Sequence, residues 1–252
     1  MNKKNKDNPF AHLTFDDFRM MAANPSLSRH EKVGFPDTYR EGKEEAIFRD
    51  VQRKLASLND KERIVLEIGP GCSRLPVMLA ELCRDRGSKL IFVDSAEMLM
   101  HLPNDPHIQK YAGRYPNIPD LAHEYPGRIN TILAYSVVQY VFAEGNLWDF
   151  LDCSLALLSD HGEMLLADIP NVTMRKRFFA SENGRRYHSE YTGNNEPPEV
   201  HFNRLEPGQM DDSVVLGLLS RVRAQGFHAW VVPQAHDLPM SNRREDILIR
   251  KP

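Results

Sequence analysis

Ile64-Val65-Leu66-Glu67-Ile68-Gly69-Pro70-Gly71-Cys72-Ser73, followed by Leu90-Ile91-Phe92-Val93-Asp94, decides the fold. The first apolar run is too short for a helix and ends in an acid, Glu67, and two glycines; the second ends in Asp94. The physical reading is a buried parallel strand, a tight turn, a helix and a second strand. Missing side chains in the turn let backbone N–H groups approach a ligand, and the second strand delivers a carboxylate to a ribose. An adenosine-bearing ligand is therefore expected near Gly69, Gly71 and Asp94.

The same spacing narrows the ligand. A dinucleotide fingerprint needs a third glycine where Arg74 stands, so that the helix packs closely and the pyrophosphate rests on its N-terminus. Pro70 and Arg74 weaken that reading. A phosphate-cradling loop of the Walker kind needs Gly-Lys-Ser/Thr, and no such triplet follows Gly69.

At these residues the chain resembles the class I S-adenosylmethionine-dependent methyltransferases, whose first motif reads acid-x-Gly-x-Gly and whose second strand ends in an acid. Glu67-Ile68-Gly69-Pro70-Gly71 matches the first and Asp94 the second. The family often has a further glycine where this chain has Ser73, which is small enough to leave the loop open. The resemblance implies that Gly69, Pro70 and Gly71 line the methionine part of S-adenosyl-L-methionine, that Glu67 lies near its amino group and that Asp94 holds its ribose hydroxyls. It runs from about Lys61 to the C-terminus.

Outward from this motif the pattern alternates. Strands are expected at 64–68, 89–93, about 107–112, 129–135 and 162–169, with helices at about 74–86, 95–101 and 146–159, the order of right-handed crossover units. A helix at 212–225 and a closing antiparallel pair, His228–Pro233 with Asp246–Arg250, complete the chain. By resemblance this is an α/β, Rossmann-like, doubly wound sheet of seven strands with the last one antiparallel. Upstream, residues to about Phe10 read as a frayed polar tail. A short amphipathic helix starts at Thr14, and Arg40 through Leu58 reads as a second, with Ala46, Ile47, Val51, Leu55 and Leu58 on one stripe. Residues 1–58 are thus read as a helical extension near the crevice and 59–252 as the main domain. Its segment 171–211, irregular and rich in Arg, Asn, His and Tyr, is read as a lid over the site.

At 252 residues and 41% hydrophobic content, the chain can bury a substantial core. Its net charge of −3 arises from intermixed signs, so no global basic field favours nucleic acid as a partner. Three cysteines with no close-spaced pair argue against a disulfide framework or a structural zinc site. No apolar run approaches a membrane span, and a cytoplasmic location is expected.

Methyl transfer from a sulfonium needs alignment above all, worth roughly 7–11 kcal/mol of a barrier, so a missing catalytic triad is no objection. Tyr135, Ser136 and Gln139, at and beyond the end of the 129–135 strand, are candidates for acceptor-side contacts, with Ser136 also bordering the cofactor. The alternative for Tyr135 and Tyr140 is packing under the next helix. Ser95 and Met98 would border the adenine, although Met98 serves equally as core filler. Where the family often has an acid contacting the adenine amino group, this chain has Arg114, leaving backbone groups and Tyr115. In the 171–211 segment His201 is the candidate base, against solvated-loop histidines as the commoner case. The basic run Arg175-Lys176-Arg177 either attracts an acceptor phosphate or is a solvated face. Asp168 either binds acceptor hydroxyls or caps the turn before Pro170. Phe35 and Tyr39 either close the crevice or anchor a helix.

The leading expectation is a methyltransferase acting on a small molecule, with a polar sugar or nucleotide-sugar suggested by the segment 171–211 and no metal. A non-catalytic S-adenosylmethionine-binding protein that engages a protein partner is the second reading, and an NAD-dependent oxidoreductase the third. The sequence leaves the oligomeric state open.

Overall fold

The computed structural model describes residues 13–36 and 41–252. In chain order the strands are Ile64–Ile68 (β1), Lys89–Asp94 (β2), Ile108–Ala112 (β3), Ile129–Tyr135 (β4), Leu158–Pro170 (β5), His228–Pro233 (β6) and Arg244–Arg250 (β7). They form one sheet in the order β3-β2-β1-β4-β5-β7-β6. The first five are mutually parallel, while β7 lies antiparallel between β5 and β6. This is the α/β doubly wound sheet expected from the sequence.

Helices cover both faces because the central strands are apolar on both. On β1, Val65 joins one buried cluster and Leu66 and Ile68 join the other; on β2, Leu90 and Phe92 part in the same way from Ile91 and Val93. One cluster takes its helical partners from Glu44–Lys54, Leu75–Asp85 and Ala96–Leu99. The other takes them from Pro119–Glu124, Val138–Glu144, Leu147–Leu157 and Asp212–Ala224. With Phe15–Ala23 and Arg29–Lys32 at the front and Val172–Ala180 and Glu182–Thr192 after β5, the helices are numbered α1 to α11 in chain order.

Helix α1 begins with a capping box, the Thr14 hydroxyl accepting from the Asp17 amide while the Asp17 carboxylate accepts from the Thr14 amide. Such a box satisfies two otherwise orphaned amides. Helix α2 repeats the device with Ser28 and Glu31. Together they form a third, small cluster in which Ala22, Cys72 and Met98 are buried and Phe18 and Val33 pack against them. The front of the chain is thereby seated on the glycine loop and on α5.

Several expectations are corrected. The helix read over 40–58 is α3 followed by a 3-10 turn, Ala56–Asn59, through which Leu55 and Leu58 remain buried. Of the expected 95–101 helix only α5 is regular, with Ser95 as its cap. The helix expected to run to 159 stops at Leu157, and residues 159–162 lie in β5, where the pairing with β4 shifts register and His161 takes a φ of +60°. The segment read as an irregular lid holds α9 and α10, capped by Asn171 and Ser181, the latter helix closed by Gly193 in the left-handed conformation.

Candidate functional site

A crevice of about 380 Å³ opens at the carboxyl ends of β1, β2 and β4. That is where open α/β sheets place ligands, since the crossover helices leave to opposite faces there. Its floor is the Gly69-Pro70-Gly71 turn, and Asp94 and Met98 form one side. Tyr135, Ser136 and Val137 stand at the end of β4, and Arg114, Tyr115 and Asn117 come from the loop after β3. The roof is Phe15 and Phe18 from α1 with Val33 and Phe35 beyond α2.

Both turn glycines are required by geometry. Gly69 and Gly71 have φ values of +64° and +65°, where a side chain is strained. A Cβ on Gly69 would lie 2.7 Å from Val137 Cγ2, and one on Gly71 2.6 Å from Val33 Cγ1. The turn is also held from the next strand: the Gly71 amide donates to Asp94 Oδ2 at 3.1 Å and the Ser95 amide to Asp94 Oδ1 at 2.7 Å.

The two acids of the motif are electrostatically unusual. Burial pushes the Asp94 carboxyl up to about 6, against the pull of the two amides. Glu67 is 1% exposed, and among the described residues its Oε2 has no hydrogen-bond partner. Burial, followed by the negative charge of Asp94, pushes the Glu67 carboxyl up to about 8. A buried acid without a partner is costly in the ionised form. Positive charge or a hydrogen-bond donor brought to Glu67 would relieve that cost.

Of the other sequence candidates, Tyr135, Ser136, Met98 and Phe35 line the crevice. Ser136 has a φ of +60°, rare for a residue with a β-carbon. Gln139 lies behind it and donates Nε2 to the Ser136 carbonyl at 2.8 Å, so it reaches the crevice through Ser136. Ser95 is buried with its hydroxyl accepting from the Met98 amide, a helix cap. Asp168 is 2% exposed and ion-paired with Arg244 at 2.6 Å, and its amide donates to Asp246. It belongs to a buried network with Gln234, Asp246, Lys54 and Asp50 and is not among the crevice-lining residues.

His201 lies away from the crevice. It is exposed and paired with Glu199 at 2.7 Å on the stretch after α10. No residue of 171–211 lines the crevice. Its basic run is spent on local pairs, Arg175 and Lys176 with Glu206 and Arg177 with Asp212. Tyr39, named with Phe35 as a closing residue, lies outside the described residues.

Sequence reasoning missed α7, whose Val141 and Glu144 line the crevice, and, although it placed a helix at 146–159, missed that Asn146, Asp149 and Phe150 at its start line the crevice too. Asn146 capping the Trp148 and Asp149 amides was a legible helix signal. Arg114 donates to the carbonyl and carboxylate of Glu144 at 3.2 and 3.3 Å, and Tyr115 bonds Ser154 at 3.0 Å. Among the described residues no cluster of His, Cys, Asp and Glu is arranged for a metal, and no helix is long and apolar enough to cross a membrane.

No family model and no curated protein matches the sequence. Solved structures do match the fold. The plantazolicin methyltransferase BpumL, solved with a triazolic desmethylPZN analog and SAH, is 13% identical, with a TM-score of 0.58 over 94% of this chain and 98% of that one. A chain of the complex between the Haloferax volcanii Trm112 methyltransferase activator and a methyltransferase is 12% identical, with a TM-score of 0.54 over 93% and 97%. A Listeria monocytogenes protein assigned as an S-adenosylmethionine-dependent methyltransferase is 17% identical, with a TM-score of 0.53 over 81% and 97%. At these identities the likeness is one of fold, the fold that these methyltransferase structures share.

Proposed function

We propose that this chain is an S-adenosylmethionine-dependent methyltransferase acting on a small molecule. The observation that carries the reading is Glu67: a buried acid with an unpartnered oxygen, beside Asp94 and under a turn that only glycine can form. That combination suits a nucleoside bearing positive charge better than a dinucleotide, whose pyrophosphate would meet two acids. S-adenosylmethionine, when bound, supplies an electrophilic methyl group on a sulfonium.

The rest falls to the chain. Asp94, locked onto the Gly71 and Ser95 amides, offers its carboxylate to ribose hydroxyls. Glu67 and the glycine turn hold the amino-acid end. Met98 and the Arg114–Asn117 loop border the base. Tyr135 and Ser136 face the acceptor, and Gln139 fixes Ser136 in its strained conformation. Aromatic side chains from α1 and from Phe35 exclude water, which strengthens every charge interaction inside. The sugar or nucleotide-sugar expectation rested on the composition of 171–211, and with that segment outside the crevice it loses its basis.

Calorimetry of the purified chain with S-adenosylhomocysteine and with NAD tests the assignment. Saturable binding of S-adenosylhomocysteine with none of NAD is the expected result. Preference for NAD, or no heat with either compound, refutes it.

A further inference from the structure

The crevice has three walls built by the sheet and its crossover loops and a fourth built by α1, which belongs to no crossover. Phe15 and Phe18 of α1 face into the crevice, so the helix covers whatever is bound there. Its attachment is slight for its position. The apolar part is the small cluster of Ala22, Cys72 and Met98 with Phe18 and Val33, separate from the two main cores, and the Phe18 ring set edge-on against Tyr140 at 4.8 Å.

Among the described residues, two ion pairs and a hydrogen bond between His101 Nε2 and the Ala22 carbonyl at 2.8 Å add to this. Arg19 forks onto Glu97 of α5, Nη2 to Oε1 at 2.8 Å and Nε to both oxygens at 3.2 and 3.1 Å. Glu97 is three residues past Asp94 in the chain. At the other end Arg114 binds the carbonyl and carboxylate of Glu144, the Glu144 carboxylate also accepts from the Phe15 amide at 3.1 Å, and the Arg114 guanidinium lies 5.8 Å from the Phe15 ring. One arginine thus ties the β3 loop, the end of α7 and the start of α1 together. This accounts for the departure at Arg114, where the methyltransferase resemblance leads one to expect an acid.

We infer that α1 is a releasable roof over the cofactor and that Arg19–Glu97 and Arg114–Glu144 are positioning pairs that set how long bound cofactor stays. The inference rests on the cofactor reading above. Both arginines are 46% exposed, with Glu97 at 25% and Glu144 at 21%. Pairs this wet are weak and salt-sensitive, so they shift the balance between closed and open without locking the helix shut. Local opening of a small cluster needs far less than global unfolding.

The test has two readouts. Stopped-flow release of S-adenosylhomocysteine should be roughly two- to fivefold faster in Arg19→Glu than in the wild type, and the swapped pair Arg19→Glu with Glu97→Arg should restore the rate. High salt should speed release from the wild type more than from Arg19→Glu, which keeps only the Arg114–Glu144 pair. The second readout needs no ligand. Cys72 is 4% exposed beneath the roof, its Sγ donating to the Arg29 carbonyl at 3.7 Å. In a Cys153→Ser background, which removes the exposed thiol, maleimide labelling of Cys72 should quicken severalfold in Arg19→Glu and slow again in the swap. Unchanged release and unchanged labelling in Arg19→Glu overturn the roof, and so does a swap that fails to restore either. A wild type that binds no S-adenosylhomocysteine overturns the cofactor reading instead, and the labelling experiment still decides the roof.

Discussion

Replacing Glu67 with glutamine keeps the shape and removes the charge. In the folded chain this carboxyl is pushed up to about 8 by burial and by Asp94, against 4.5 for an unburied glutamate. The folded state therefore holds a proton that the unfolded state gives up first. Stability linked to this proton is full below about pH 4.5 and is lost as pH rises through about 8. At about 1.4 kcal/mol per unit, the whole shift amounts to roughly 5 kcal/mol as an upper bound, of which about 2–3 kcal/mol falls between about pH 6 and about pH 9. Glu67→Gln cannot ionise, so it escapes this loss. Thermal unfolding of ligand-free protein should show the wild type losing about 5–10 °C relative to the variant over that interval, at about 2–4 °C per kcal/mol for a chain of this size. Near pH 8 the variant should also bind S-adenosylhomocysteine about tenfold more weakly, having lost a charge-assisted bond to the amino group. Parallel unfolding curves for the two proteins from pH 6 to 9 would falsify the argument, since they would mean that Glu67 is already ionised and paired in the folded chain.

Other expectations follow from the same geometry. Gly71→Ala meets Val33 and forces a left-handed φ on a residue with a β-carbon; it should lose about 1–2 kcal/mol in urea unfolding together with cofactor binding, and equal stability to wild type contradicts it. Arg244→Ala strands Asp168 in a buried network, so it should cost about 3–5 kcal/mol, whereas Arg177→Ala breaks an exposed pair with Asp212 and should stay within about 0.5 kcal/mol. Comparable losses in both would show that burial does not govern these pairs. His201→Ala should change neither S-adenosylhomocysteine affinity nor stability, and a calorimetric loss of binding would return that histidine to the site.

The strands were legible because a buried parallel strand declares itself locally: Ile64–Ile68 and Lys89–Asp94 are short apolar runs bounded by turn residues, and no partner is needed to recognise them. The glycine turn and Asp94 follow from those strands. What escaped depends on neighbours. Helix α7 is a single short segment, Val138–Glu144, without a side-chain cap, so nothing local separates it from a loop. Helices α9 and α10 did carry signals, Asn171, Ser181 and Gly193, but a polar, aromatic composition outweighed them in the reading. Asp168 and Arg244 are far apart in sequence, and their pairing follows from β7 inserting beside β5.

The choice between two covers for the crevice shows the same division. Composition favoured 171–211, since polar and aromatic residues in a long connection suggest a binding loop. The sheet decides otherwise. Asn171 continues directly from β5, bonding Asp212 and Glu245 through Nδ2 at 2.7 and 2.6 Å, which turns α9 toward α11 and β7 and away from β1 and β2. The space over the glycine turn is left to the chain that precedes β1. There Val33 fills the place a Gly71 side chain would take, and Phe18 reaches Tyr140 across the opening. Glycine at 71 is thus required by Val33 as well as by the left-handed turn. Substitutions at Val33, which also lines the crevice, should consequently alter cofactor affinity: Val33→Ala is expected to loosen α2 and weaken S-adenosylhomocysteine binding severalfold, with the main unfolding transition displaced by no more than about 1 kcal/mol. Full affinity in that variant would mean that the front of the chain rests on the crevice without helping to form it.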